Sequence, residues 1–276
     1  MRFTFWGTRG SIAVPGPDTL RYGGNTTCLQ VTPSSGASVI VDAGTGIRPL
    51  GLELCKRDSE GDVLLLITHL HWDHILGFLF FDPVYHPDWR VRVSGWPLAL
   101  KGLKSIFNSR HADGNFPVDW DDLPGVVELA EELKPPSFSL AGMEVRTAPL
   151  NHPQGGVAFR FEENGEAFAF ITDNELMGPG KAKMDDFAEF LSGVQVLVHD
   201  AQYLPEEMPA RYGYGHSDYL QAVELARRAG VERLILTHHD PSRSDHQVDK
   251  LLAEARKAAG PNLQVDAASE GLVVEL

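Results

Sequence analysis

The sequence predicts an α/β protein in which two β-rich halves share one functional rim. Three observations carry this. About eleven short β-branched and aromatic runs are separated by turn residues. Helical patterns lie between several of them, and six runs end in polar chemistry at their carboxyl edge, where α/β architectures bind ligands. In chain order the runs are RFTFW, CLQVT, SVIVDAG, VLLLIT and VRVSG, then MEVRTAPL, VAFRFE, AFAFITD, VQVLVHD, RLILTHHD and LVVEL. The segment FRFEENGEAFAF reads as a β-hairpin, because Asn164-Gly165 suits the two positive φ angles of a type I′ turn. Helices are expected over 217–229, with Ser217 as cap, and over 244–259, where Ser244 and Gln247 have capping-box spacing. The pattern repeats on both sides of residue 140 without a linker-like tract, so residues 1–276 are expected to form one domain. The least regular stretch, residues 107–136, reads as an excursion able to cover a pocket, or as a solvated surface loop.

Composition narrows the partners. A chain of 276 residues that is 43% hydrophobic can bury a large core. Its net charge of -14 argues against long nucleic acid, whose phosphates are bound by neutralising Lys and Arg; a small anionic substrate stays open, since a metal can supply local positive charge. Cys28 and Cys55 are too few for a disulfide framework and read as small buried hydrophobes. No signal-peptide pattern and no apolar stretch of membrane-spanning length is present, so a cytoplasmic address without membrane attachment is expected; a homodimer is compatible with the sequence.

The segment T-H-L-H-W-D-H, Thr68 to His74, follows the apolar run VLLLI with three imidazoles and a carboxylate. Such groups are costly to bury without compensation, and a metal ion compensates. Their spacing cannot fit one helix face and suits a loop leaving a strand. His69 and His71 project to one side of extended chain and can clasp one ion, while Asp73 and His74, where the chain turns, can offer ligands to a second. Zinc accepts this nitrogen and oxygen mixture, and manganese or iron also would.

This H-x-H-x-D-H pattern resembles the signature of the metallo-β-lactamase superfamily, whose fold is a four-layer αββα sandwich with a binuclear site along one edge. The resemblance implies three further ligands at later strand ends, and the chain has His152 in APLNHP, Asp173 in FAFITDNE and His238 in LILTHHDP. By the family's pattern, His69, His71 and His152 hold one divalent ion, Asp73, His74 and His238 the other, and Asp173 bridges. His239, adjacent to His238, is the alternative for that position. Asp173 stands where classical β-lactamases often carry Cys, and His71 where diiron members carry Glu, which lowers the weight of antibiotic hydrolysis and redox chemistry.

Beyond these ligands, VLVHDAQY followed by YGHSDYLQA is similar to a pairing in ribonuclease Z and related phosphodiesterases of the superfamily. There an acidic residue holds the His of a G-H-S-like motif; Asp200 and His216 are the matching positions, with Asp in place of the usual Glu. An oriented imidazole can protonate a departing alkoxide, so His216, Asp200 and the ligand Asp73 are the candidate catalytic residues. The glycine-rich segments FWGTRGS, YGGNTTC and VDAGTGIRPLG resemble amino-terminal segments of hydrolases in the phosphodiesterase branch; tight turns also explain them, and Arg9 is a candidate phosphate contact. No clearly basic arm of the kind ribonuclease Z uses for tRNA is present, which favours a small phosphodiester such as a cyclic nucleotide or a ribosyl cyclic phosphate. Lactone or thioester hydrolysis, as elsewhere in the superfamily, is the alternative reaction, and a metal-stabilised binding protein without turnover the alternative class.

Overall fold

The apolar runs pair into two mixed sheets of seven strands each in the computed structural model, which describes residues 1–107, 116–178 and 180–276. The first sheet contains β1 (Arg2–Gly7), β2 (Cys28–Thr32), β3 (Ser38–Val41), β4 (Gly61–Ile67), β5 (Trp89–Gly95), β6 (Val126–Leu129) and β14 (Val273–Glu275), in the order β14-β1-β2-β3-β4-β5-β6. The second contains β7 (Ser137–Leu140), β8 (Met143–Pro149), β9 (Val157–Glu163), β10 (Glu166–Ile171), β11 (Val196–Asp200), β12 (Arg233–Thr237) and β13 (Gln264–Ala267), in the order β13-β12-β11-β10-β9-β8-β7. Strands β3 to β6 run parallel, as do β10 to β13; the remaining pairs are antiparallel.

Why the central strands are apolar throughout is clear from β4. Leu64 and Leu66 turn inward to the layer between the sheets, against Phe159, Phe161, Phe168 and Phe170. Val63, Leu65 and Ile67 turn outward, beneath α1 (Ile47–Arg57) and its neighbours. Both faces of the strand are therefore covered, and alternation disappears. On the outer face of the second sheet, α6 (Tyr219–Ala229) buries Ala222, Val223, Leu225 and Ala226, and α7 (Asp245–Ala259) buries Val248, Leu251, Leu252 and Ala255, at helical spacing. Helix, sheet, sheet, helix is the αββα sandwich.

The eleven expected runs all form strands. The three strands that sequence reading missed, β6, β7 and β13, are four residues each and lie at sheet edges. Edge strands need no continuous apolar run, since one rim faces solvent. The Asn164-Gly165 hairpin forms between β9 and β10. Ser244 caps α7 with the expected box. Ser217 does not cap α6: Asp218 accepts from Leu220 and Gln221 N–H, while the Ser217 hydroxyl donates to Asn174 O. Within the 107–136 excursion, β6 is ordered sheet; residues 108–115 of that segment lie outside the described residues. No helix among the described residues is long and apolar enough to cross a membrane.

Two loops at the carboxyl edge of the first sheet touch backbone to backbone. A Cβ added at Gly77 would stand 2.0 Å from Gly44 O and 2.9 Å from Thr45 Cα. Gly77→Ala is accordingly expected to lower stability by about 1–3 kcal/mol, the usual cost of overpacking. Urea unfolding checks this: the midpoint should fall at unchanged m value, and an unchanged midpoint would show that the loops separate freely.

Candidate metal centre

The seven candidate ligands converge from four places in the chain onto one edge of the sandwich. Strand β4 ends at Ile67, and the extended residues that follow deliver His69 and His71 before the short helix α2 (Trp72–Ile75) turns Asp73 and His74 inward. His152 follows β8, Asp173 follows β10 and His238 follows β12. Two of these strand-end residues, Asp173 (φ 53) and His238 (φ 57), hold the left-handed backbone, as do Ser11 (φ 64) and Asp42 (φ 63) beside them. Non-glycine residues rarely adopt it, and such strain concentrates where side-chain direction matters more than local comfort.

Donor atoms fall into two groups that share Asp173: His69, His71, His152 and Asp173, and Asp73, His74, Asp173 and His238, with the donors of each group within 4.8 Å of one another. Asp173 divides its carboxylate between them. Its Oδ1 lies 3.2 Å from His74 Nε2 and 3.2 Å from His238 Nε2, and its Oδ2 lies 3.5 Å from His69 Nε2 and 3.9 Å from His152 Nε2. Asp73 Oδ2 is 3.1 Å from His238 Nε2, 3.4 Å from His74 Nε2, and accepts the Ser11 N–H at 2.7 Å.

Each imidazole has its outer nitrogen held. His74 Nδ1 donates to Asp42 (2.8 Å), His152 Nδ1 to Gly215 O (3.1 Å), His71 Nε2 to Gln154 (2.7 Å) and His238 Nδ1 to Gln202 (3.2 Å). His69 Nδ1 donates to the Thr68 hydroxyl (3.0 Å), which itself donates to Asp42. With the outer nitrogen protonated, the inner one presents a lone pair, the tautomer a metal ligand needs. Consequently His71 Nδ1 and His152 Nε2 face each other at 3.0 Å as two acceptors, and the inner nitrogens of His69 and His74 are buried without a hydrogen-bond partner. A divalent cation satisfies all of these atoms, so the residues fit the group.

The carboxylates carry the counter-charge. Burial alone would raise the Asp173 carboxyl, but His238, His74, His69 and His216 outweigh it and hold it well below the usual carboxylate range. Asp73 is held low in the same way, burial being overcome by His74 and His238. Burial pushes His69 well below the ordinary imidazole value, whereas Asp173, Asp73 and Asp42 outweigh complete burial and raise His74, whose Nε2 therefore presents its lone pair when a cation takes the place of the proton.

His216 lies at the lip of this cluster, with Nε2 4.0 Å from Asp173 Oδ2 and Nδ1 3.4 Å from Asp200 Oδ2. The second contact is in ion-pair range without hydrogen-bond alignment, since His216 Nδ1 has no bonded partner. Asp200, fully buried, accepts the main-chain N–H of Ser217 (3.0 Å) and Asn174 (3.2 Å). Burial would depress His216, yet Asp173 and Asp200 raise it above the ordinary imidazole value.

His239 does not enter the centre. Its Nε2 donates to Ala268 O at 2.9 Å, and burial drives its pKa down to about 4. Arg9 is likewise not placed as a phosphate contact. It is fully buried, donating from Nε to Gly23 O (2.8 Å) and from Nη1 to Arg243 O (2.8 Å) and Asp240 O (3.2 Å). Sequence reading assigned no role to Asp42, Gln154, Gln202 or Glu175; Asp42, Glu175 and Gln202 carried a signal, standing in the polar strand ends VIVDAG, FITDNE and LVHDAQ, and Gln154 carried none.

Residues 38–239 match the family described as the beta-lactamase superfamily domain. The chain is 28% identical over 243 residues to a ribonuclease Z from Mycobacterium sp. strain KMS, covering 82% of this chain and 81% of that protein. Among solved structures, its fold is similar to that of a diphosphatase from the PhnP family (TM-score 0.67, 19% identity, covering 100% of this chain and 97% of the other). It is also similar to Zn²⁺-bound PqqB from Methylobacterium extorquens (TM-score 0.68, 17% identity, full coverage of both chains).

The position of Arg9 gives a test. Arg9→Met strips three carbonyl oxygens of their donor, those of Gly23 and Arg243 in buried bonds, and should cost roughly 3–5 kcal/mol of stability, while KM of the surviving folded enzyme stays unchanged. Thermal unfolding together with substrate titration checks it; a raised KM at unchanged stability would return Arg9 to a substrate-binding role.

Proposed function

The chain belongs to the beta-lactamase superfamily and is a metal-dependent hydrolase, and from that premise we propose that it hydrolyses a small phosphodiester at two divalent ions, zinc first among them. The observation that carries the reading is His216, buried beside the two ligand groups with its Nε2 toward Asp173 and Asp200 behind its Nδ1. His69, His71 and His152 would hold one ion and Asp73, His74 and His238 the other, with Asp173 common to both groups. Bound divalent ions supply Lewis acidity toward a phosphoryl oxygen and a water acidic enough to attack near neutral pH.

The chain's own groups do the rest. Asp200 faces His216 Nδ1 at 3.4 Å and fixes the following peptide through Ser217 N–H, favouring the charged ring, so that Nε2 holds a proton facing the centre. That proton passes to the departing alkoxide oxygen, which an ester with a good leaving group needs less. A cavity of about 580 Å³ opens beside His152, lined by residues including Leu150, Gln154 and Lys181, a size suited to a small ligand. The net charge of -14 weighs in the same direction, against a long polyanion. The residues 1–276 act here as one hydrolase domain.

A panel of bis-p-nitrophenyl phosphate, cyclic nucleotides, lactones and thioesters tests the reaction class: turnover confined to the carboxylic or thioesters would overturn it. Asp73→Ala or His69→Ala should abolish hydrolysis, and near-wild-type turnover in either would remove that residue from the centre. His216→Ala should keep the bound metal yet slow cyclic nucleotide hydrolysis by roughly 10²–10⁴-fold, the range of general acid catalysis, with a much smaller effect on the p-nitrophenyl ester. Equal losses on both substrates would contradict the proton-donor role.

A further inference from the structure

Glu175 stands two residues beyond Asp173, on the same strand end, and is almost completely buried. Its carboxylate meets main-chain N–H groups: Gly213 N–H lies 2.8 and 3.0 Å from its two oxygens, and Gly215 N–H 2.9 Å from Oε2. Both glycines have positive φ (86 and 87), which turns their N–H groups to the same acceptor, a concave arrangement that suits an anion. The loop so clasped is otherwise outward-facing, with Tyr212 and Tyr214 exposed.

This loop ends at the centre. Gly215 O accepts from His152 Nδ1 at 3.1 Å, and a Cβ at Gly215 would lie 2.1 Å from that same nitrogen, so the backbone is pressed against the imidazole. The next residue is His216. Asp200 anchors the residue after it through Ser217 N–H; Glu175 anchors the residue before it. The ring is thus bracketed by two buried carboxylates acting on its flanking peptides.

We propose that Glu175 is a positioning residue for His216, setting the height of the 213–215 loop so that the imidazole meets the departing oxygen. The hydrogen bonds of its carboxylate go to main-chain N–H groups, and its effect on the ring passes through that backbone. The proposal rests on His216 acting as proton donor. A neutral amide at 175 keeps the shape but presents one acceptor oxygen where two are used, so the loop loses part of its clasp.

The test is the leaving-group dependence of Glu175→Gln, alone and in a His216→Ala background, measured on the metal-loaded enzyme with a cyclic nucleotide and with bis-p-nitrophenyl phosphate. Expected for the single variant is a loss of about 10–100-fold on the cyclic nucleotide, the usual scale for a supporting residue, a far smaller loss on the p-nitrophenyl ester, and no further loss when His216 is already absent. Equal losses on both substrates, or the same added loss in the His216→Ala background, would make Glu175 a general structural residue and overturn the proposal while leaving the donor role intact. If His216→Ala itself shows no substrate dependence, the donor reading fails and the proposal falls with it. Glu175→Asp, which keeps the charge at shorter reach, should recover part of the cyclic nucleotide activity and serves as the probe if the Gln variant does not fold.

Discussion

A single buried carboxylate, Asp173, organises this molecule's working edge. Its two oxygens face different pairs of imidazoles, His74 and His238 on one side and His69 and His152 on the other. An arrangement of this kind cannot be assembled from one sheet. The His69 to His74 loop comes from β4 of the first sheet and the remaining groups from β8, β10 and β12 of the second, so the aromatic layer between the sheets must hold both carboxyl edges in register. The left-handed φ angles of Asp42, Asp173 and His238 are the local cost of that convergence.

Around this centre stands a second layer whose job is direction rather than chemistry. Asp42 is the clearest case, fully buried, accepting from His74 directly and from His69 through Thr68. One carboxylate therefore sets the ring orientation of one imidazole in each group. Gln154, Gln202 and the Gly215 carbonyl do the same for His71, His238 and His152. Outer partners of this sort fix tautomer as well as direction, which is why five inner nitrogens present lone pairs to the same small volume.

Much of this was legible in the sequence, and the exceptions have physical reasons. VLLLI could be read because burial on both faces removes all polar residues from a central strand. The missed strands β6, β7 and β13 are edges, where exposure breaks the pattern. At the site, His69, His71, Asp73 and His74 were conspicuous because they crowd into six residues, whereas His152, Asp173 and His238 became visible only through the family's order. The choice of His238 over His239 depended on a left-handed φ and a hydrogen bond to Ala268 O that no local pattern encodes. Arg9 looked like an anion contact because charge is read without direction; its guanidinium points to carbonyls far along the chain, at Asp240 and Arg243. Glu175 was overshadowed by its neighbour Asp173, since its partners are backbone N–H groups of a loop about forty residues later.

The account stands on Asp173 serving two metal positions at once, and metal stoichiometry by elemental analysis of wild type beside Asp173→Ala measures that directly. Two divalent ions per wild-type chain, and loss of both on removing the shared carboxylate, is the predicted result. A wild-type chain that binds no more than one ion, or an Asp173→Ala variant that keeps two, would contradict it.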